Sequence, residues 1–140
     1  MSSATPLLAL RGAILAHLAA DAALAGLMGG TVRLYDEPPR GSLPVHAVFG
    51  DAELRDDSVD GARRHAHALS LIVFAKPGSA RSALDAAERM ADLLAEAPLA
   101  LAGHVLVTLR VEAVRVARDE RSGEARATLT LQAVTEVLAG

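Results

Sequence analysis

Cysteine is absent from this chain of 140 residues, which removes disulfides, thiolate nucleophiles and cysteine zinc sites in one stroke and fits an intracellular origin. Tryptophan is absent too, and two Phe and one Tyr are the whole aromatic complement. Any core must therefore be built from aliphatic side chains. Neither sign of charge dominates: the formal net charge is −3, and acids and bases are interspersed. That excludes a nucleic-acid surface resting on bulk positive charge. No uninterrupted apolar run reaches the ~20 residues of a membrane span, since Arg11, His17 and Asp21 break the oily N-terminal stretch; without a basic start, it does not read as a signal peptide either.

What is present is a pattern. A chain of this length buries ~70% of its unfolded surface as one domain, so residues 1–140 are read as a single domain needing no staple. From Ser79 to Ala97, residues Ala83, Leu84, Ala87, Met90, Ala91 and Leu94 recur at three- and four-residue steps, giving a helix with one apolar stripe. Pro77-Gly78 precedes it, Ser79 or Ser82 is available to cap it, and Pro98 bounds it. A second amphipathic helix spans about Thr5 to Ala20 around Leu7, Leu10, Ile14 and Leu18. Asp21 then caps a short turn carrying Leu24, Leu27 and Met28, stopped by Gly29-Gly30.

Strands fill the rest. Thr31 to Tyr35 is a brief candidate, and Asp36 to Gly41, with two prolines, is loop. Val45 to Leu54 and Arg64 to Ala75 read as antiparallel strands joined by the polar segment from Arg55 to Arg63. The second is apolar on both faces at its far end, which predicts a central strand or one covered by a second subunit. Leu99 to Gly103 is a connector. Val105, Val107, Leu109 and Val111 alternate with Leu106, Thr108, Arg110 and Glu112, so one face of that strand should be wet. The phase then slips, and a bulge near Ala113 accounts for it. Asp119 to Gly123 makes a hairpin turn, and Ala127, Leu129, Leu131 and Ala133 mark the return strand. The order predicts an α+β domain: a mainly antiparallel sheet of four to five strands, with two helices on one face.

Reactive groups do not assemble into a motif. His65 and His67 would project from one strand face, yet no third ligand accompanies them, so solvated or interface histidines are the reading. His17, His46 and His104 are isolated and read as surface or rim residues. Asp56, Asp57 and Asp60 lack the spacing of a calcium loop. Gly29-Gly30 leads into a strand, whereas a phosphate cradle needs a helix N-terminus, and no GxSxG motif is present. The expectation is no enzyme, no cofactor and no metal.

The chain nevertheless resembles a family. Its opening LLALRGAILAHLAADAALAGLMGG leads into TVRLYDEPPRGSLPVHAVFGD, the strand HALSLIVFAKPGS enters a helix, and APLALAGHVLVTLRVEAVRVARDE precedes the last strand ARATLTLQAVTEV. These stretches resemble the tail terminators, the small tail-completion proteins of tailed phages and gene transfer agents. That resemblance implies a ring of subunits, six in the usual case, at the head-proximal end of the tail tube. Such a ring ends tube polymerisation and offers the stopper or connector of the head a surface to dock on. It implies as partners further copies of the chain, the tube protein and the stopper, with DNA passing through the hole unread. It places the chain in the virion neck after assembly in the bacterial cytoplasm, without a membrane. Another neck component, an adaptor or stopper, is the alternative, followed by a small ligand-binding or enzymatic domain.

A cyclic ring uses two different patches per subunit. Candidate contact residues are Arg55, Asp56, Asp57, Asp60, Arg63 and Arg64 on the first polar segment, and Asp119, Glu120 and Arg121 on the second. The first segment is expected at subunit contacts or against the tube, and the far end of the Arg64 to Ala75 strand near an interface. Solvated loops are the competing reading for both segments. Residues lining the hole should avoid a strong positive potential that would trap the duplex.

Overall fold

The computed structural model describes residues 5–37, 45–76, 78–95 and 97–138. The expected loop from Pro38 onward, Pro77 and Glu96 fall outside these. The elements run α1 (Pro6–Ala19), α2 (Ala22–Leu27), β1 (Leu34–Tyr35), β2 (His46–Asp56), β3 (Arg64–Phe74), α3 (Ala80–Leu94), β4 (Ala100–Leu101), β5 (His104–Arg118) and β6 (Ala125–Val137).

Among the described residues six strands form one sheet in the order β1-β2-β3-β6-β5-β4, so β3 is central, the first of the two readings that its apolar faces allowed. The pairings are antiparallel apart from β1 with β2. The α+β class holds, while the expected four to five strands and two helices become six and three among the described residues. The additions are short: two-residue β4 forms inside the expected connector, turning at Gly103 with φ 76, and α2 is the capped turn after Asp21 completed into a helix.

Helix ends follow local chemistry. The Thr5 hydroxyl accepts from the Leu8 amide, and Pro6 occupies the first turn where its missing N–H costs nothing. The Asp21 carboxylate accepts from the Leu24 amide. It also holds a two-pronged ion pair with Arg89 of α3 at 2.9 and 2.8 Å, fastening α2 to α3. That guanidinium, with the Leu24 amide, holds the Asp21 carboxyl down at about 2. Ser79 stands at the α3 N-cap without a side-chain bond; Ser82 instead accepts from the Lys76 amide and donates to the Ser79 carbonyl. The helix stops at Leu94 rather than reaching Ala97, so Pro98 lies beyond its end.

All three helices cover one sheet face. Leu10, Ile14 and Leu18 of α1, Leu24 of α2 and Ala83, Ala87, Met90 and Leu94 of α3 join Leu69, Leu71 and Val73 of β3 and Leu129 and Leu131 of β6 in one core. The predicted α3 stripe is the buried one, with Leu84 and Ala91 half-buried at its margin. α1 departs from expectation. Its inner stripe is as predicted, but Leu8 and Leu15 are 59% and 39% exposed, and Gly12, Ala16 and Ala19 beside them are exposed as well. Its two polar side chains are engaged elsewhere: Arg11 lies over the Phe49 ring at 5.1 Å, and His17 Nε2 bonds the Leu93 carbonyl at 2.8 Å. α1 is thus apolar on its outer side too.

β5 carries two bulges, not one. The expected one lies between Val111 and Ala113, and another separates Leu106 from Thr108. The first bulge met along the chain reverses the parity. His104 and Leu106 therefore face the core, while Val105 and Val107, expected on the dry side, are 44% and 40% exposed.

A third irregularity, in β2 between Phe49 and Ala52, surrounds Gly50. A Cβ added there would collide with Ser70 Oγ and stand 3.1 Å from Ile72 Cδ1. Gly50→Ala should therefore destabilise the chain by about 1–3 kcal/mol through overpacking. Gly12→Ala, inside α1 with nothing within 4 Å, should stabilise it by roughly 0.5–1 kcal/mol. Urea unfolding of both variants checks the contrast, and equal midpoints would contradict it.

Candidate assembly surfaces

The two charged segments are the tips of two hairpins, and the register decides where they lie. Arg64 pairs with Glu136 at one end of the central strands and Phe74 with Arg126 at the other. The β2–β3 tip, residues 57–63, leaves the sheet beside Arg64. The β5–β6 tip, residues 119–124, leaves it beside Ala125. The tips therefore point from opposite ends of one sheet and cannot form a single patch. Residues 51–61 and 115–124 are exposed without interruption, so each tip and the outer strand running into it, β2 or β5, form an exposed arm, while β3 and β6 stay paired with each other from Arg64 to Phe74.

Several candidate residues have work inside the chain. Asp56 Oδ1 accepts from the Ser58 amide and hydroxyl, shaping the first tip and lowering the carboxyl below its usual range. Asp119 Oδ1 accepts from the amides of Arg121 and Ser122 and shapes the second, with the same effect on its own carboxyl. Arg64 pairs with Glu136 at 3.1 Å across β3 and β6, and Arg55 pairs with Glu53 along β2. Asp57, Asp60, Arg63, Glu120 and Arg121 are exposed and have charge to offer a partner.

The histidines turn out less exposed than expected. His67, read as solvated or at an interface, is 2% exposed, and its Nε2 shares a 2.8 Å hydrogen bond with Thr135 Oγ1. His104, read as a rim residue, is 6% exposed, because the bulge after Leu106 sets its parity inward. His46 stacks on Phe74 with ring centroids 5.1 Å apart. Sequence alternation could have flagged His67, since it shares the parity of Leu69, Leu71 and Val73; nothing in the sequence marks His104. Among the described residues no group of three His, Cys, Asp or Glu side chains is placed to hold a metal, and no helix is long and apolar enough to cross a membrane.

The same architecture is found in a chain of the virion of a native gene transfer agent particle, with a TM-score of 0.83 and 28% sequence identity over 93% of this chain and 96% of that one. No curated protein sequence matches significantly. The chain falls in the class of structural virion proteins. It belongs to the family of tail completion protein gp17, whose family model matches residues 12–136.

Burial holds His67 neutral, pushing its pKa from 6.5 down to about 4, with the nearby His65 and His104 adding to the shift. The unfolded chain binds a proton near pH 6.5 and the folded chain only near 4. The contribution is thus complete above about pH 6.5 and is lost as pH falls towards 4, by at most about 3 kcal/mol. His67→Gln should flatten that part of the stability curve, measured by denaturant titration between pH 4 and 7. Parallel curves for variant and parent would contradict the assignment.

Proposed function

We propose that the chain is the tail terminator of its particle. Copies of it form a ring, six in the usual arrangement of such proteins, on the head-proximal end of the tail tube. The ring stops tube growth and presents a second surface to the head-side stopper or connector. It is not an enzyme: its work is done by shape and by contact.

The observation that carries this reading is the pair of exposed arms at opposite ends of one sheet. A junction protein must meet different partners above and below itself, and a rigid central sheet that projects one arm each way supplies two separate contact sites at fixed spacing. The split charge fits as well. Asp57, Asp60 and Arg63 are available at one tip and Glu120 and Arg121 at the other, giving two distinct surfaces as a head-to-tail ring or a two-partner joint requires. Asp56, Asp119, Arg55 and Arg64 act indirectly, by holding the arms in shape. DNA passes through the hole without base recognition, and assembly takes place in the host cytoplasm.

Deleting the gene and imaging the particles by electron microscopy tests the proposal. Overlong tails, or tails and filled heads left unjoined, are expected. Tails of normal length joined to heads would overturn it. Charge reversal at Asp57, Asp60 and Arg63 should give the same phenotype in part, with the folded chain present but detached.

A further inference from the structure

The outer edges of the sheet are covered only briefly. β1 pairs with β2 at Ala47 and Val48, and β4 pairs with β5 at His104 and Val105. Along the remainder of β2, from Phe49 to Asp56, and of β5, from Leu106 to Arg118, no strand among the described residues takes up the outward backbone groups. An open edge of that length is a template for another strand. Both edges also carry exposed apolar side chains: Leu54 on β2 is 40% exposed, and Val107 and Val116 on β5 are 40% and 52% exposed.

The edges differ in charge. Along the open part of β2, the carboxylates of Asp51, Glu53 and Asp56 outnumber the one cation, Arg55. Along that of β5, Arg110, Arg115 and Arg118 outnumber the one carboxylate, Glu112. An acidic edge and a basic edge on opposite sides of one sheet suit each other in neighbouring copies and repel their own kind. Strand direction agrees. The long strands β2, β3, β6 and β5 alternate in direction, so a neighbour rotated about an axis along the strands brings its β2 antiparallel to this β5. The alternation then continues from copy to copy. A shallow groove flanked by Leu99, Leu101, Val105 and Val107 runs beside the start of the open β5 edge and can take an apolar residue such as Leu54. The bulges in β2 and β5 bend both edges, which is the curvature a closing sheet needs.

We infer that the open β5 edge of one copy receives the acidic β2 edge of the next copy, joining the sheets head to tail. This rests on the ring reading above and names the contact that closes the ring. The contact is heterologous, so it propagates in one sense only.

Because the chain has no cysteine, pairs of introduced cysteines report the contact cleanly. Particles would be assembled with the L54C/V107C double variant or with each single variant, then treated with a short flexible bismaleimide, with L54C/V116C as a second pair to sample the register. The double variants should give a ladder of cross-linked copies ending in a closed ring, and the single variants should give none. Cross-links within either single variant would overturn the inference by showing like edges together. An absence of cross-links with both pairs, in particles that hold several copies, would overturn it while leaving the ring intact. A single copy per particle would defeat the ring reading itself. A charge exchange gives a second measure: R110E/R115E and D51R/D57R should each lower incorporation by about tenfold, and their combination should restore it. Losses that add rather than cancel, in variants whose circular dichroism matches the parent, would count against the pairing.

Discussion

The structure depends on one close approach, that of α3 to the central strands of the sheet. With almost no aromatic side chains to fill space, the core is closed by bringing the layers together. Ala83, Ala86 and Ala87 on the helix and Ala127 and Ala133 on β6 are all at most 2% exposed. Small residues on both surfaces let the larger Met90, Leu94, Leu129 and Leu131 interleave at normal packing density. Arg89 then reaches Asp21 and ties the N-terminal helices to the same layer.

That layer is shorter than the sheet, and function follows from the difference. The helices cover the central strands; the outer strands β2 and β5 run on beyond them into the two tips. Leu54, Val59 and Val116 lie on these overhangs with 40%, 52% and 52% of their surface exposed. A lone domain gains little from leaving such residues in water, whereas a subunit that packs against copies and partners buries them on assembly. The outer side of α1, with Leu8 and Leu15, belongs to the same pattern. Membership of the tail completion family and the likeness to a chain of a virion particle give these surfaces their context.

Much of the fold was legible because its signals are local. The stripe of α3, the cap at Asp21, the central position of β3 and the bulge before Ala113 all follow from spacing or from a phase slip within a few residues. What escaped depends on neighbours distant in sequence. The bulge after Leu106 leaves no mark, since Val105 and Val107 alternate as well as any buried pair, and with it went the burial of His104. The two-residue strands exist only because a longer strand passes beside them. Of the candidate contact residues, the sequence located the two tips but could not separate those that shape a turn, Asp56 and Asp119, from those free to meet a partner, Asp57, Asp60 and Glu120. Hydrogen bonding alone makes that distinction.

The central claim is that one rigid sheet holds two arms against two different partners. A cryo-electron microscopy map of the intact particle at side-chain resolution tests it most directly. The account predicts a ring of this chain at the tube end, with the β2–β3 and β5–β6 tips lying against different proteins or copies. A map in which both tips project into solvent would contradict it.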